Sequence, residues 1–284
     1  MKGAYVMQLG LVPYGEAWEL QRALAGAVSQ GAIPDTILLL EHPPTVTTGR
    51  RTEEGELHIP DDAEVEILET DRGGKSTFHG PGQLVCYPIF DLKRHGQDVK
   101  RYCRDLEESL ILTLAKLGVE GERIDGLTGV WLTRSAVPGA SLTSVPRGDS
   151  APARPAEESA VQRRERSAEP GSARWEPSAA RGGGPPRKIA SIGIHIAKWV
   201  TTHGYALNVD LDPAPFTQWI TACGLEDAAF TTIARELGRP VTVDEARGPA
   251  LEALAEVFEL ELEELPADAG HGLWPQPVHA QLAR

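Results

Sequence analysis

The sequence predicts an α+β fold: a mixed or antiparallel sheet with helices packed against it. Apolar strand-like runs come in pairs, and helical periodicity is confined to separate blocks. A doubly wound sheet would instead alternate strand and helix along the chain.

Element by element, "AYVMQLGLV" near the start is strand-like, and Ala17, Leu20, Leu24, Ala27 and Val28 keep helical spacing over residues 14–30. "TILLLEHPPTVTTGRR" is a strand broken by Pro43 and Pro44, because proline donates no ladder hydrogen bond. "AEVEILETD" leads into a glycine-rich segment, and "LVCYPIF" is the next strand. A helix capped by Asp98 follows, with Val99, Cys103, Leu106, Leu110, Leu114 and Leu117 expected on its inner face. "GVWLT" at 129–133 is a short strand, and "KIASIGIHIAKWVTTHGYALNVDL" reads as two strands turning near Lys198–Trp199. Short helical turns are expected in "PAPFTQWITACGLEDAAFTTIARELG", and "TVDEARGPALEALAEVFELEL" reads as a late helix capped near Asp244.

Composition changes sharply between the last two strand blocks. Residues 135–187 are Pro, Ala, Gly, Ser and Arg with almost no apolar side chain beyond Trp175. Such a segment cannot bury enough surface to offset the entropy of ordering it. Its flanks, "GVWLT" and "KIASIGIHI", look like the two strands of one hairpin. The segment is therefore expected to be a disordered insertion in a single catalytic domain made of residues 1–134 and 188–270. Residues 271–284 are expected to form a C-terminal tail.

The formal net charge of −13 argues against general nucleic-acid binding. No apolar stretch approaches the ~20 residues of a membrane span, and no cleavable leader pattern opens the chain, so a cytoplasmic location is expected. Against the overall charge, Lys93, Arg94, Lys100, Arg101 and Arg104 gather in one run. That run is either a solvated helix face or a docking patch for an acidic partner.

The stretch "GGKST" at 73–77 suggests a phosphate-binding loop. The full pattern needs a glycine where Glu69 stands and a helix afterwards. A carboxylate there would repel a triphosphate, and "HGPGQLVCYPIF" reads as turn and strand. Without a helix N-terminus there is no fan of free N–H groups.

Three cysteines, odd in number and far apart, argue against a disulfide scaffold and a cysteine zinc site. Cys86 and Cys103 sit in apolar patterns and read as packed small hydrophobes. Cys223 lies in "ITACGLED" beside Gly224, outside any apolar period; it is either structural or a turn nucleophile beside free backbone N–H groups. Lys188 opens an apolar strand, and is either an edge lysine or a cation that would lower a nearby thiol's pKa.

Taken in order, "LLLEHPPTVTTGRR", "RGGKSTFHGPGQLVCYPIFDL", "GVWL", "KIASIGIHIAKWVTTHGYALNV" and "ITACGL" resemble the lipoyl(octanoyl) transferases. The resemblance covers nearly the whole chain outside the insertion and the last few tens of residues. It implies the fold shared with lipoate and biotin ligases. It also implies transfer of an octanoyl or lipoyl group from acyl carrier protein to a lysine of a lipoyl domain, through a cysteine thioester. Acceptors would be the lipoyl domains of 2-oxoacid dehydrogenases and the glycine cleavage H protein. No cofactor, metal, ATP, nucleic acid or membrane is expected to take part. Cys223 would carry the acyl group and Lys188 would lower its pKa. Arg72, Gly73, Gly74, Lys75, Ser76, Thr77, Phe78 and His79 would line the acyl pocket, with Lys75 at a surface position. Ser191, Ile192, Gly193, Gly204, Tyr205 and Ala206 would close it, and His203 would line it. Phe78 stands where the family usually has tyrosine, and Ala222 where proline is usual. The rival expectations are an ATP-dependent lipoate or biotin ligase on the same fold and a non-catalytic acyl-binding carrier.

Overall fold

The computed structural model describes residues 2–133, 186–221 and 229–266. Two sheets organise them. The larger is nine-stranded among the described residues. It contains β1 (Lys2–Leu11), β2 (Asp35–Glu41), β6 (Gln83–Ile89), β7 (Glu122–Ile124), β8 (Leu127–Leu132), β9 (Arg187–Ala197), β10 (Val200–Asn208), β11 (Ala229–Phe230) and β12 (Leu260–Leu265). Its spatial order is β12-β1-β2-β6-β10-β9-β8-β7, with β11 pairing β9 in parallel. The small sheet orders β4 (Glu66–Glu69), β3 (Thr45–Thr48) and β5 (Thr77–His79). The parallel pairs β1–β12, β1–β2 and β9–β11 beside an antiparallel remainder make the mixed α+β sheet that the sequence predicts.

Helix α1 (Tyr14–Ser29) covers one face of the large sheet through Ala17, Leu20, Leu24, Ala27 and Val28, which pack on Leu38, Leu40, Val85 and Ala206. Helices α2 (Val99–Lys116) and α5 (Val243–Phe258) cover the other face, against Ile37, Leu39, Leu84, Cys86 and Tyr205. Strands buried on both faces read as unbroken apolar runs, as β2 and β6 do. Two short helices, α3 (Ala214–Gln218) and α4 (Ile233–Leu237), also lie among the described residues. The aromatic contacts of Phe78 with Phe216 and Trp219 seal the small sheet against α3.

Several local expectations are met. Asp98 caps α2 by accepting from Lys100 and Arg101 N–H groups. Lys198 and Trp199 both take positive φ in a two-residue turn joining β9 to β10, the geometry whose twist suits an antiparallel hairpin. Strands β8 and β9, on either side of the insertion in sequence, pair antiparallel through Val130–Ala190, Trp131–Lys188 and Leu132–Arg187.

Others are corrected. Val99 is exposed and Cys103 only half-buried; Tyr102 takes the inward position instead, packing in the core with Leu106, Leu110 and Phe258. The late helix is capped by Thr242, not Asp244, since Thr242 and Glu245 form a reciprocal capping box. It also stops at Phe258. Glu259 turns into the left-handed region, and "LELEEL" becomes β12, hydrogen-bonded along β1. Glu and Leu favour helix, but an open sheet edge offers a full backbone ladder and burial for Leu260 and Leu265. Arg187 belongs to β9, so the strand begins on the last residue of the expected insertion. The rest of that insertion, apart from Pro186, and the 271–284 tail lie outside the described residues.

Candidate active site

Of the expected site residues, Arg72, Gly73 and Gly193 meet where the glycine segment lies against the β9–β10 hairpin. Beyond Arg187–Ala190, which pair with β8, the outer edge of β9 is taken by the glycine segment: Gly73 N–H donates to Ile194 O at 2.9 Å. A Cβ on Gly193 would stand 3.1 Å from both Arg72 Cδ and Gly73 O. The approach of 72–73 to β9 thus depends on a glycine at 193. Arg72, buried, is the clasp. Its guanidinium donates to Thr47 O at 2.7 Å, Thr47 Oγ1 at 2.8 Å and Lys75 O at 2.8 Å, tying β3 to the glycine loop.

The remaining expected residues divide. Gly74 joins the same loop, where its carbonyl accepts from Arg51 N–H. Lys75 turns away from the hairpin to pair with Glu56 and Glu53, which answers the phosphate-loop question: its ammonium is engaged by carboxylates. No helix follows it; Thr77–His79 is strand β5. Ser76 is buried with Oγ near Thr52 Oγ1, and Thr77 pairs with Thr47 in the ladder. Phe78 packs in the small-sheet core. On the hairpin, Ser191 pairs with Ala206 and Gly193 with Gly204. Ala206 packs among the side chains under α1. Ile192 and Tyr205, expected to close the pocket, turn their side chains into the core on the α2 side instead.

Lys188 would share that α2 side if β9 alternated strictly. A register shift opposite Val130–Trp131 prevents it. Ile189 and Ala190 both enter the α2-side core, and Lys188 falls opposite Trp131, with its ammonium 5.1 Å from the centre of that indole. The bulge therefore carries Lys188 to the face of Ser191 and Gly193. Lys188 is buried, and its carbonyl accepts from Thr231 N–H. Cys223 lies outside the described residues, which resume at Ala229 on the strand beside Lys188.

A buried polar wall stands beside this junction. His203 Nε2 is 2.8 Å from Asp71 Oδ1, so Nε2 carries the proton, and Nδ1 is left to accept from Tyr14 Oη at 3.2 Å. His42 donates Nδ1–H to Val12 O at 2.6 Å and accepts Tyr87 O–H at 2.7 Å. The Tyr14 ring lies 4.8 Å from His42 and 5.5 Å from His79. His79 bonds Gln83 at 2.8 Å, Gln83 bonds Asn208 at 3.0 Å, and Asn208 donates to Thr231 O, next to the Lys188 strand. Burial pushes His42 and His203 each down to about 4 and His79 well below its usual range, despite Asp71 beside His203. Near neutral pH the imidazoles of the wall are uncharged and hydrogen-bonded. Burial likewise pushes Tyr14 up to about 12 and the Cys86 thiol to about 12, which leaves Cys86 an inert core residue.

Sequence reasoning names Arg72, His79, Lys188 and the glycines but assigns no role to Tyr14, His42, Asp71, Gln83 or Trp131. The only local signal was His42 directly before the Pro-Pro break.

Residues 13–255 match the family model described as the lipoyl protein ligase A/B catalytic domain. An octanoyltransferase of Mycobacterium tuberculosis is 43% identical over 255 residues, covering 89% of this chain and 86% of that protein. One from Chloroflexus aggregans is 39% identical over 266 residues, covering 92% and 97%. Among solved structures, the bipartite lipoate protein ligase of Thermoplasma acidophilum superposes with a TM-score of 0.62 at 13% identity, over 100% of this chain and 91% of that one. A lipoate-protein ligase A bound with ATP gives 0.60 at 13% identity, over 100% and 93%. These two establish the lipoate-ligase fold. The chain belongs to the octanoyltransferases of the lipoyl protein ligase A/B catalytic-domain family, and is an acyltransferase.

Proposed function

We propose that the protein moves an octanoyl or lipoyl group from octanoyl acyl carrier protein to a lysine of a lipoyl domain, by way of a thioester on Cys223. Acceptors would include lipoyl domains of 2-oxoacid dehydrogenases and the glycine cleavage H protein, in the cytoplasm. The observation that supports this best is the position of Lys188, a buried lysine turned by a bulge onto the face where Arg72–Gly73 meets Gly193.

The Cys223 thiolate attacks the donor carbonyl; a C–S bond to the enzyme forms as the bond to the carrier breaks. The Lys188 ammonium gives its proton to the departing carrier thiolate. The acceptor amine then attacks the enzyme thioester, its proton passes to Lys188, and the Cys223 thiolate leaves as the amide forms. Both donor and intermediate are thioesters, so acyl entry is nearly balanced in energy and needs no nucleotide. Burying the octanoyl chain at ~0.8 kcal/mol per methylene supplies on the order of 5 kcal/mol to position the carbonyl. The neutral His42–Tyr14–His79 wall suits that role, since charged imidazoles beside an acyl chain would hold water.

Intact mass after mixing with octanoyl carrier protein tests the assignment. One octanoyl mass should appear, vanish in Cys223→Ser, and persist in Cys86→Ser and Cys103→Ser. An adduct surviving Cys223→Ser removes it from the mechanism. Transfer that requires ATP would instead favour a ligase, and binding without turnover a carrier.

A further inference from the structure

The tautomer of His79 is dictated by a chain of side-chain amides. Asn208 Nδ2 donates to Thr231 O at 3.1 Å, which turns Asn208 Oδ1 toward Gln83. Gln83 Nε2 donates to that oxygen at 3.0 Å and to Phe78 O at 3.3 Å. Two acceptors thus fix the amide nitrogen, so Gln83 Oε1 faces His79, and His79 Nδ1 carries the proton of their 2.8 Å bond. Because the chain ends on backbone carbonyls at Thr231 and Phe78, it cannot reverse. His79 Nε2 is therefore a lone-pair acceptor.

No donor of the wall is left to fill it. Tyr87 gives its O–H to His42, Tyr14 gives its O–H to His203, and His42 gives Nδ1–H to Val12 O. His79 is buried, with the rings of Tyr14 and His42 each 5.5 Å away, and its Nε2 has no hydrogen-bond partner among the described residues. Leaving a buried acceptor unmet costs about 1–3 kcal/mol, which a ligand bringing a donor recovers. Burial, with His42 and Arg72 nearby, holds the imidazole neutral, so Nε2 offers a lone pair and does not take up a proton.

We propose that His79 is a further catalytic residue: its Nε2 accepts one N–H of the acceptor lysine's neutral amine and turns the nitrogen lone pair toward the thioester carbonyl. The proposal rests on the transfer reaction given above. Neither an octanoyl chain nor a thioester carries a hydrogen-bond donor, so among the reacting groups only the amine matches this acceptor. As the C–N bond forms and the C–S bond breaks, one amine proton goes to Lys188, and the N–H held by His79 stays in the amide product. The amide chain also ends beside Lys188, since Thr231 N–H donates to Lys188 O.

Dividing the reaction at the acyl-enzyme tests this. Histidine methylated on Nε2, placed at 79 in the full chain, keeps Nδ1–H for Gln83 and loses the acceptor. Single-turnover transfer from octanoyl-enzyme to a lipoyl domain should then slow at least about tenfold more than formation of the octanoyl-enzyme does. It should also slow at least about tenfold more than discharge of the same octanoyl-enzyme by a small thiolate, which brings no N–H. Histidine fluorinated on a ring carbon is close to histidine in shape and a weaker acceptor. It should slow transfer selectively by about threefold, and it decides the matter if the methyl group disturbs folding. Transfer and thiolate discharge slowed alike would overturn the proposal in favour of packing. Slowing confined to acylation would overturn it by giving Nε2 to an amide of the carrier's arm, and parent-like transfer in both variants would overturn it outright. A parent protein that forms no octanoyl-enzyme refutes the thioester pathway itself, and His79 with it; a failure seen only in the variants at 79 leaves that pathway standing.

Discussion

His203 donates Nε2–H to Asp71 Oδ1 across 2.8 Å, joining the inner strand of the hairpin to the residue just before Arg72. The ring is buried, whereas Asp71 is partly open, so a neutral imidazole meets a charged carboxylate. His203 sits at φ +57° with its N–H on Gln21 Oε1 at 2.6 Å, so helix α1, strand β10 and the glycine loop are locked at one point.

The first prediction is acid sensitivity. His203 and His42 ionise near 4 when folded, against 6.5 for a free imidazole. Above about pH 6.5 both states are neutral and the groups are silent. As pH falls from there toward 4 the unfolded chain binds protons that the folded chain refuses, so stability drops, by up to about 1.4 kcal/mol per pH unit for each ring. Urea midpoints measured across pH 7 to 4 should fall, with a shallower slope in His42→Gln. An equal slope in that variant would show that His42 does not remain neutral in the fold.

Arg72 should not tolerate lysine. A single ammonium cannot reproduce the fork that joins Thr47 O, Thr47 Oγ1 and Lys75 O. Arg72→Lys is expected to lose about 2–4 kcal/mol of stability, read from urea unfolding, and most transfer activity. Parent-like values in both would reduce the clasp to a bystander.

Gly204→Ala tests the hairpin core. The new Cβ would stand 2.2 Å from Cys86 O and 2.7 Å from Pro88 Cδ, both on the neighbouring strand β6. Backbone cannot yield as a side-chain tip does, so a loss of more than about 2 kcal/mol is expected. Calorimetry with less than half that loss would mean that β10 and β6 separate easily.

The basic run is partly spent inside the molecule: Arg94 pairs with Asp35 and Arg104 with Glu107. Lys100 is exposed and Arg101 lies on the surface with only a 3.6 Å contact to Asp105. Reversing Lys100 and Arg101 to glutamate should raise KM for carrier-bound donor about fivefold and flatten its salt dependence, with a small thioester donor unaffected. Equal losses with both donors would reject docking here.

Element types and their order were legible in the sequence because local periodicity carries them: α1 from its apolar spacing, α2 from Asp98, and the β8–β9 hairpin from matching flanks. The family, through motifs spread along the chain, was legible too. Tertiary structure alone decided which face Lys188 occupies, because a bulge reverses alternation and is defined by its partner strand. It alone made strand of residues 260–262, which read as the end of a helix, since the open edge of β1 outweighs local propensity. The polar wall was invisible for the same reason. Tyr14, His42, Asp71 and His203 are far apart in sequence, and of these only His203 was expected at the pocket; only burial against one another holds the imidazoles neutral.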